Sequence, residues 1–254
     1  MGTFIPDNAP RKHLKTPVKS DDEALSLGIV SDGTAGMRLQ AIALGEAIKA
    51  TKNPESTLDD IIIIPHPILR HFPRLAQYLP ITLLSKMIGP KLTALSSSNS
   101  AIIITCGRRM AGLSIAMRRL GITNTTKKRP RTIHIQDPRL PPHYFDILIT
   151  PKHDPARGPN VITSMASLNR LDEKKITIAA SALDPKWTSL TTPCIAVLVG
   201  GLNRRYRISS AMMDDMAEKI TTVATSAGAS LALIPSRRTP NGLLEKLAVS
   251  LKAT

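Results

Sequence analysis

Apolar residues in this chain fall into short unbroken blocks separated by polar turns. Leu25–Ser31, Asp59–Ile64, Ala101–Thr105, Thr132–Ile135, Phe145–Thr150, Cys194–Val199 and Ser230–Ile234 each read as a strand, with Asn160–Thr163 a short addition. Runs that are continuous rather than alternating predict strands buried on both faces, as in a parallel sheet covered by helices. Between the blocks, apolar positions recur at helical spacing. Leu39, Ala43, Leu44 and Ala47 do so through about Lys49, followed by about Met110–Leu120, Asp172–Ala182 and Ser210–Ala227, the last closed by Gly228. A final helix is expected from Pro240 or Asn241, with Thr239 as its cap. Residues 65–97 mix Leu, Ile and Pro with His66, Arg70, His71, Arg74, Lys86 and Lys91. They fit short amphipathic helices broken at Pro73, Pro80 and Pro90, which either cover the sheet or rest on an anionic membrane.

Strands alternating with helices predict an α/β fold of two Rossmann-like doubly wound parallel-sheet domains. Residues 1–24 read as a disordered basic arm and 25–170 as the first domain. A helix and a Thr/Pro-rich linker occupy 171–193, and 194–254 form a second domain of only βαβα. So small a unit buries little surface, so it is expected to be incomplete, to dock on the first sheet or to pair with another chain.

Chemistry gathers at the strand ends. The block Cys194–Val199 runs into Gly200 and Gly201, then Asn203, Arg204 and Arg205, before a helix near Ser209. Two glycines permit positive φ and close backbone approach, and the helix start favours an anion. Ser236, Arg237 and Arg238 repeat the design after the next strand, and the guanidinium fork suits phosphate oxygens. Solvent-facing arginines at an ordinary turn would look the same, and both readings stand. In the first half Asp32 and Gly33, Gly107 and Arg108, Gln136 and Asp137, and His153 with Asp154 all follow strands. His153 could serve as a base oriented by a neighbouring carboxylate. His and Cys spacings give no metal site, and no nucleophile-elbow or Walker signature is present.

Charge narrows the partners: 34 Lys and Arg against 19 Asp and Glu give +15, a field that attracts polyanions. Aromatics are only 3%, too few to stack on bases, so specific nucleic-acid recognition is not expected. Cys106 and Cys194 read as buried thiols in a reducing compartment. No run approaches the roughly 18 apolar residues of a membrane span, and the start lacks a signal-peptide core. The expectation is a cytoplasmic protein, with peripheral contact at the membrane's inner face as the alternative.

Several blocks in order resemble a family: Ser31–Gly36 with Gln40 and Ala41, Cys106–Arg109, Gln136–Arg139, Pro151–Asp154, Arg157–Val161, Leu168–Arg170, Val197–Tyr206 and Pro235–Pro240. Together they resemble the mitochondrial-fission Elm-type family, also labelled nucleoside-diphosphate-sugar epimerase-like. That resemblance implies a glycosyltransferase-like arrangement with an acceptor half, a donor half and a cleft between them. It implies a nucleotide-sugar donor and no dedicated cofactor. Asp32, Arg108, Gln136, Asp137 and His153 would face the acceptor, and Gly200, Gly201, Ser236, Arg237 and Arg238 the donor phosphates. His153 or Asp137 would be the base of an inverting transfer. Plant members are associated with recruiting a dynamin-like GTPase to the mitochondrial surface, so a non-catalytic adaptor is the second expectation. Family members continue past the Ser-Arg-Arg-Thr-Pro block; this chain stops at Thr254, so impaired transfer is expected.

Overall fold

The computed structural model describes residues 24–96, 101–123, 130–200, 207–236, 239 and 242–252. The chain divides into two compact units, Met1–Arg170 and Leu171–Thr254. In the first, β1 (Ser26–Ser31), β2 (Thr57–Ile62), β3 (Ala101–Cys106), β4 (Arg131–Ile135), β5 (Ile147–Pro151) and β6 (Val161–Ser164) form one sheet. Its order is β2-β1-β3-β4-β5-β6, and every pair is parallel. The unbroken runs of the central strands β1, β3, β4 and β5 have the expected cause, because helices cover both faces; the edge run of β2 does not follow it, and Ile62 and Ile64 are exposed.

On one face α1 (Ala35–Lys52) lays Ala41 on Ile29, Ile104, Cys106, Ile133, Ile135 and Ile149. On the other, Val30, Ile61 and Ile103 meet α2 (Pro67–His71), α3 (Ile81–Ser96) and α4 (Ala111–Thr123). The prolines act at helix starts. Pro67 opens α2, Pro73 opens a 3-10 turn through Gln77, and the Pro80 carbonyl accepts from Leu84 N at the start of α3. Pro90 breaks α3 at Gly89, where φ is 79°.

In the second unit β7 (Cys194–Val199) pairs parallel with β8 (Ser230–Pro235). Preceding them are α5 (Glu173–Ser181) and the short α6 (Pro185–Thr188); α7 (Ser210–Ala227) and α8 (Leu243–Lys252) follow the two strands in turn. Ser209 Oγ accepts from Met212 N at 3.2 Å to cap α7, and Gly228 ends it in the left-handed region as the sequence predicts.

Three further expectations are corrected here. The β7 run is not buried on both faces. Val197 and Val199 turn inward to Met213, Ala217 and Leu247, whereas Ala196 and Leu198 are exposed, Leu198 by 75%. A two-stranded sheet with its packed helices on one side leaves the other side to solvent. For the same reason Cys194 is exposed, while Cys106 is buried as expected. Thr239 does not cap the last helix: its hydroxyl donates to Val199 O at 2.7 Å and accepts from Ser236 N at 2.8 Å, tying the β7 and β8 tips together.

Candidate functional site

In the order β2-β1-β3, the chain leaves β1 in one direction and returns to its other side at β3. Such a reversal opens a crevice beyond the carboxyl ends of the two strands, the usual ligand position of open α/β sheets. A cavity of about 400 Å³ lies there. Asp32 and Thr34 line it from the β1 turn, Cys106, Gly107, Arg108 and Arg109 from the β3 turn, and Gln136 from β4.

Each wall has a local cause. Asp32 Oδ1 accepts from Thr34 N at 3.0 Å, a tight side-chain turn that needs Gly33 at φ 78°. Arg109 Nη1 stands 3.5 Å from Asp32 Oδ2; the carboxylate is largely buried and the guanidinium mostly exposed. Burial pushes the Asp32 carboxyl up, but hydrogen bonds from Thr34 and the Arg109 charge outweigh it and hold it below 3.8. Gly107, at φ 87°, turns the chain from β3 into Arg108, and a Cβ there would stand 3.0 Å from Met37 Sδ. Burial, helped by the Asp32 charge, pushes the Cys106 thiol up to about 12, so it stays protonated on the cavity wall. Gln136 is held in the left-handed region, φ 74°, its N–H donating to Ile149 O at 2.7 Å. A non-glycine residue there carries backbone strain, which tends to collect at binding sites.

Asp32, Gly107, Arg108 and Gln136 therefore share one cavity. Asp137 and His153 do not line it. Asp137 is buried, and its Oδ1 accepts from Arg139 N at 2.6 Å, closing the turn after β4. His153 is exposed in the turn after β5. Arg157 braces that turn by donating to Lys152 O at 2.8 Å and Asp154 O at 2.5 Å. In the second unit Gly200 and Ser236 sit at the tips of β7 and β8, with open space where a Gly200 Cβ would stand. Gly201, Asn203, Arg204, Arg205, Arg237 and Arg238 lie outside the described residues.

The sequence reading passed over Arg109 as a site residue and missed His134 altogether. His134, on β4, is fully buried, Nδ1 2.8 Å from Thr105 Oγ1, its ring stacked on Phe145 with centroids 4.8 Å apart. Burial drives its pKa down to about 3, so it is a neutral imidazole beneath the site. Its place inside an apolar strand was the available signal.

A parallel doubly wound sheet with a cavity at its switch point defines a Rossmann-like α/β protein. The family model described as mitochondrial fission ELM1 matches residues 35–254, and the chain belongs to that family. The mitochondrial fission protein ELM1 of Arabidopsis thaliana is 25% identical over 162 residues, which are 55% of this chain and 36% of that protein. The chain thus spans about a third of the length of this relative. Among the described residues, no helix is long and apolar enough to cross a membrane.

Proposed function

We propose that this chain is the acceptor-holding part of a glycosyltransferase-like member of the family, binding a sugar-containing, phosphorylated ligand at the β1–β3 crevice. The observation that carries the reading is the convergence of Asp32, Gly107, Arg108, Arg109 and Gln136 on one cavity. A carboxylate and an amide suit sugar hydroxyls, and two guanidinium groups suit phosphate oxygens bidentately. In this reading a nucleotide-sugar donor meets the second unit at Gly200 and Ser236, the exposed strand tips. Asp137 and His153 stand off the crevice wall, and Asp32 is the carboxylate that faces an acceptor hydroxyl there. Arginines stabilise the diphosphate as it leaves.

Thermal unfolding with UDP, GDP, their sugar conjugates and inorganic phosphate tests this reading. A ligand at a hundred times its Kd stabilises the native state by about 2.7 kcal/mol, a rise of several degrees in Tm. Arg108→Ala is expected to remove the rise given by a ligand in the crevice, inorganic phosphate included, and to leave a rise that comes from a nucleotide at the Gly200 and Ser236 tips. Asp32→Asn should weaken sugar-bearing ligands more than phosphate. Absence of any shift with every one of these compounds rules the reading out.

A further inference from the structure

Between Asp60 and Asp137 the sequence contains no acidic residue and twelve Lys and Arg. Part of that charge is used internally. Arg118 pairs with Asp146 at 2.9 Å, and Arg119 donates to the Ala76 and Leu79 carbonyls at 2.7 Å, binding the 3-10 turn to α4. Arg70, Arg74, Lys86 and Lys91 form no ion pair among the described residues, and all but half-buried Arg70 are exposed.

Interleaved with them are large apolar side chains turned to solvent. Ile68 and His71 lie on α2, and Phe72 follows its end; Leu75 lies on the 3-10 turn, and Tyr78 follows it. Leu83 and Lys86 lie three apart on α3. Helical spacing puts Leu83 and Lys86 on one side of α3, and the exposure of Ile68, Phe72, Leu75 and Tyr78 turns them to solvent as well. Phe72 is 63% exposed and Tyr78 73%. Because α2, the 3-10 turn and α3 all pack on α4, the faces they turn away from it look outward together. Leu69, Ala76, Leu84 and Ile88 fill the inner side, so the core does not account for the outer apolar set.

We propose that this face docks on an anionic lipid bilayer, Phe72, Leu75, Tyr78 and Leu83 entering the headgroup–acyl boundary while Arg70, Arg74, Lys86 and Lys91 meet lipid phosphates. Charge decides the occupant. An apolar protein groove would need no such surplus of cations, and a nucleic acid would not need four exposed apolar side chains. The face also adjoins the cavity. Gly112 of α4 comes so close to α2 that a Cβ would stand 2.1 Å from Leu69 O, and α2 packs on the turn that carries Arg108 and Arg109. Docking there brings the β1–β3 crevice to the membrane surface whichever ligand it takes.

Vesicle co-sedimentation of the full chain, with phosphatidylcholine alone and with added phosphatidylglycerol, tests the proposal. Binding is expected only with the anionic lipid and is weakened by salt. The triple variant Phe72→Gln/Leu75→Gln/Tyr78→Gln keeps the charge unchanged and should lose about tenfold in affinity. A second measurement places Phe72→Trp in a Trp187→Phe background; its emission should shift to the blue and be quenched by brominated lipid. The proposal is overturned if the triple variant binds as well as the parent, which would show only the general attraction of a basic chain. An unquenched probe overturns it too. So does polyglutamate bound with the same dependence on Phe72, which would mark an acidic protein as the partner.

Discussion

His134 shows how one side chain can set the acid limit of a whole domain. Folded, the imidazole is held neutral down to about pH 3; unfolded, it takes up a proton near 6.5. Below 6.5 the unfolded chain binds more protons, so native stability falls with pH by on the order of 1.4 kcal/mol per unit until about pH 3 is reached. Between pH 7 and pH 5 the parent is expected to lose about 2 kcal/mol more than His134→Gln, read from urea unfolding at the two values. Asp32 acts in the same direction at lower pH. Its depressed carboxyl contributes stability that is present above 3.8 and lost as pH falls below it. A single sequence hints at the first role through His134's place in an apolar strand but fixes neither. A histidine inside an apolar strand shows burial only after the neighbouring strand and α4 are in place. Asp32 was legible as a candidate because Asp-Gly marks a turn, but its Arg109 partner comes from the turn after β3, far along the chain.

The helices and strands were largely legible because their causes are local. Unbroken β-branched runs, glycines after the tips of β1, β3 and β7 and prolines at helix starts predict most of the elements that form. What could not be read is how closely they approach. Gly112 is a case in point: within the α4 pattern it is a weak helix former, yet it lets the Leu69 backbone carbonyl come into contact. Gly112→Ala must push α2 away from α4 and is expected to cost about 3 kcal/mol. Gly107→Ala, with φ 87° and Met37 Sδ at 3.0 Å, is expected to cost about 2 kcal/mol and to lower ligand-induced stabilisation as well. Comparing denaturation midpoints and ligand shifts of the two variants separates packing from site geometry. The burial pattern of β7 was misread for a related reason. An apolar run can satisfy a one-sided sheet as readily as a two-sided one, and only the number of packed helices distinguishes them.

At the scale of the molecule, the two units meet in sequence at Arg170 and Leu171, and the stretch from Asn169 to Glu173 is exposed. Brief trypsin treatment is expected to cut early at Arg170, Lys174 or Lys175, giving a fragment close to the first unit; mass spectrometry of the early products checks this. Sequence alone determined the α/β class, most of the element list and the glycine- and arginine-bearing strand tips, since periodicity and turn chemistry act over a few residues. Tertiary structure decided which tips are neighbours. The order β2-β1-β3-β4 gathers Asp32, Gly107, Arg108 and Gln136 around one cavity, leaves His153 and Asp137 off its wall and turns Phe72 and Tyr78 outward. Strand order and the facing of side chains follow from the packing of segments far apart in the chain, and no local pattern encodes them.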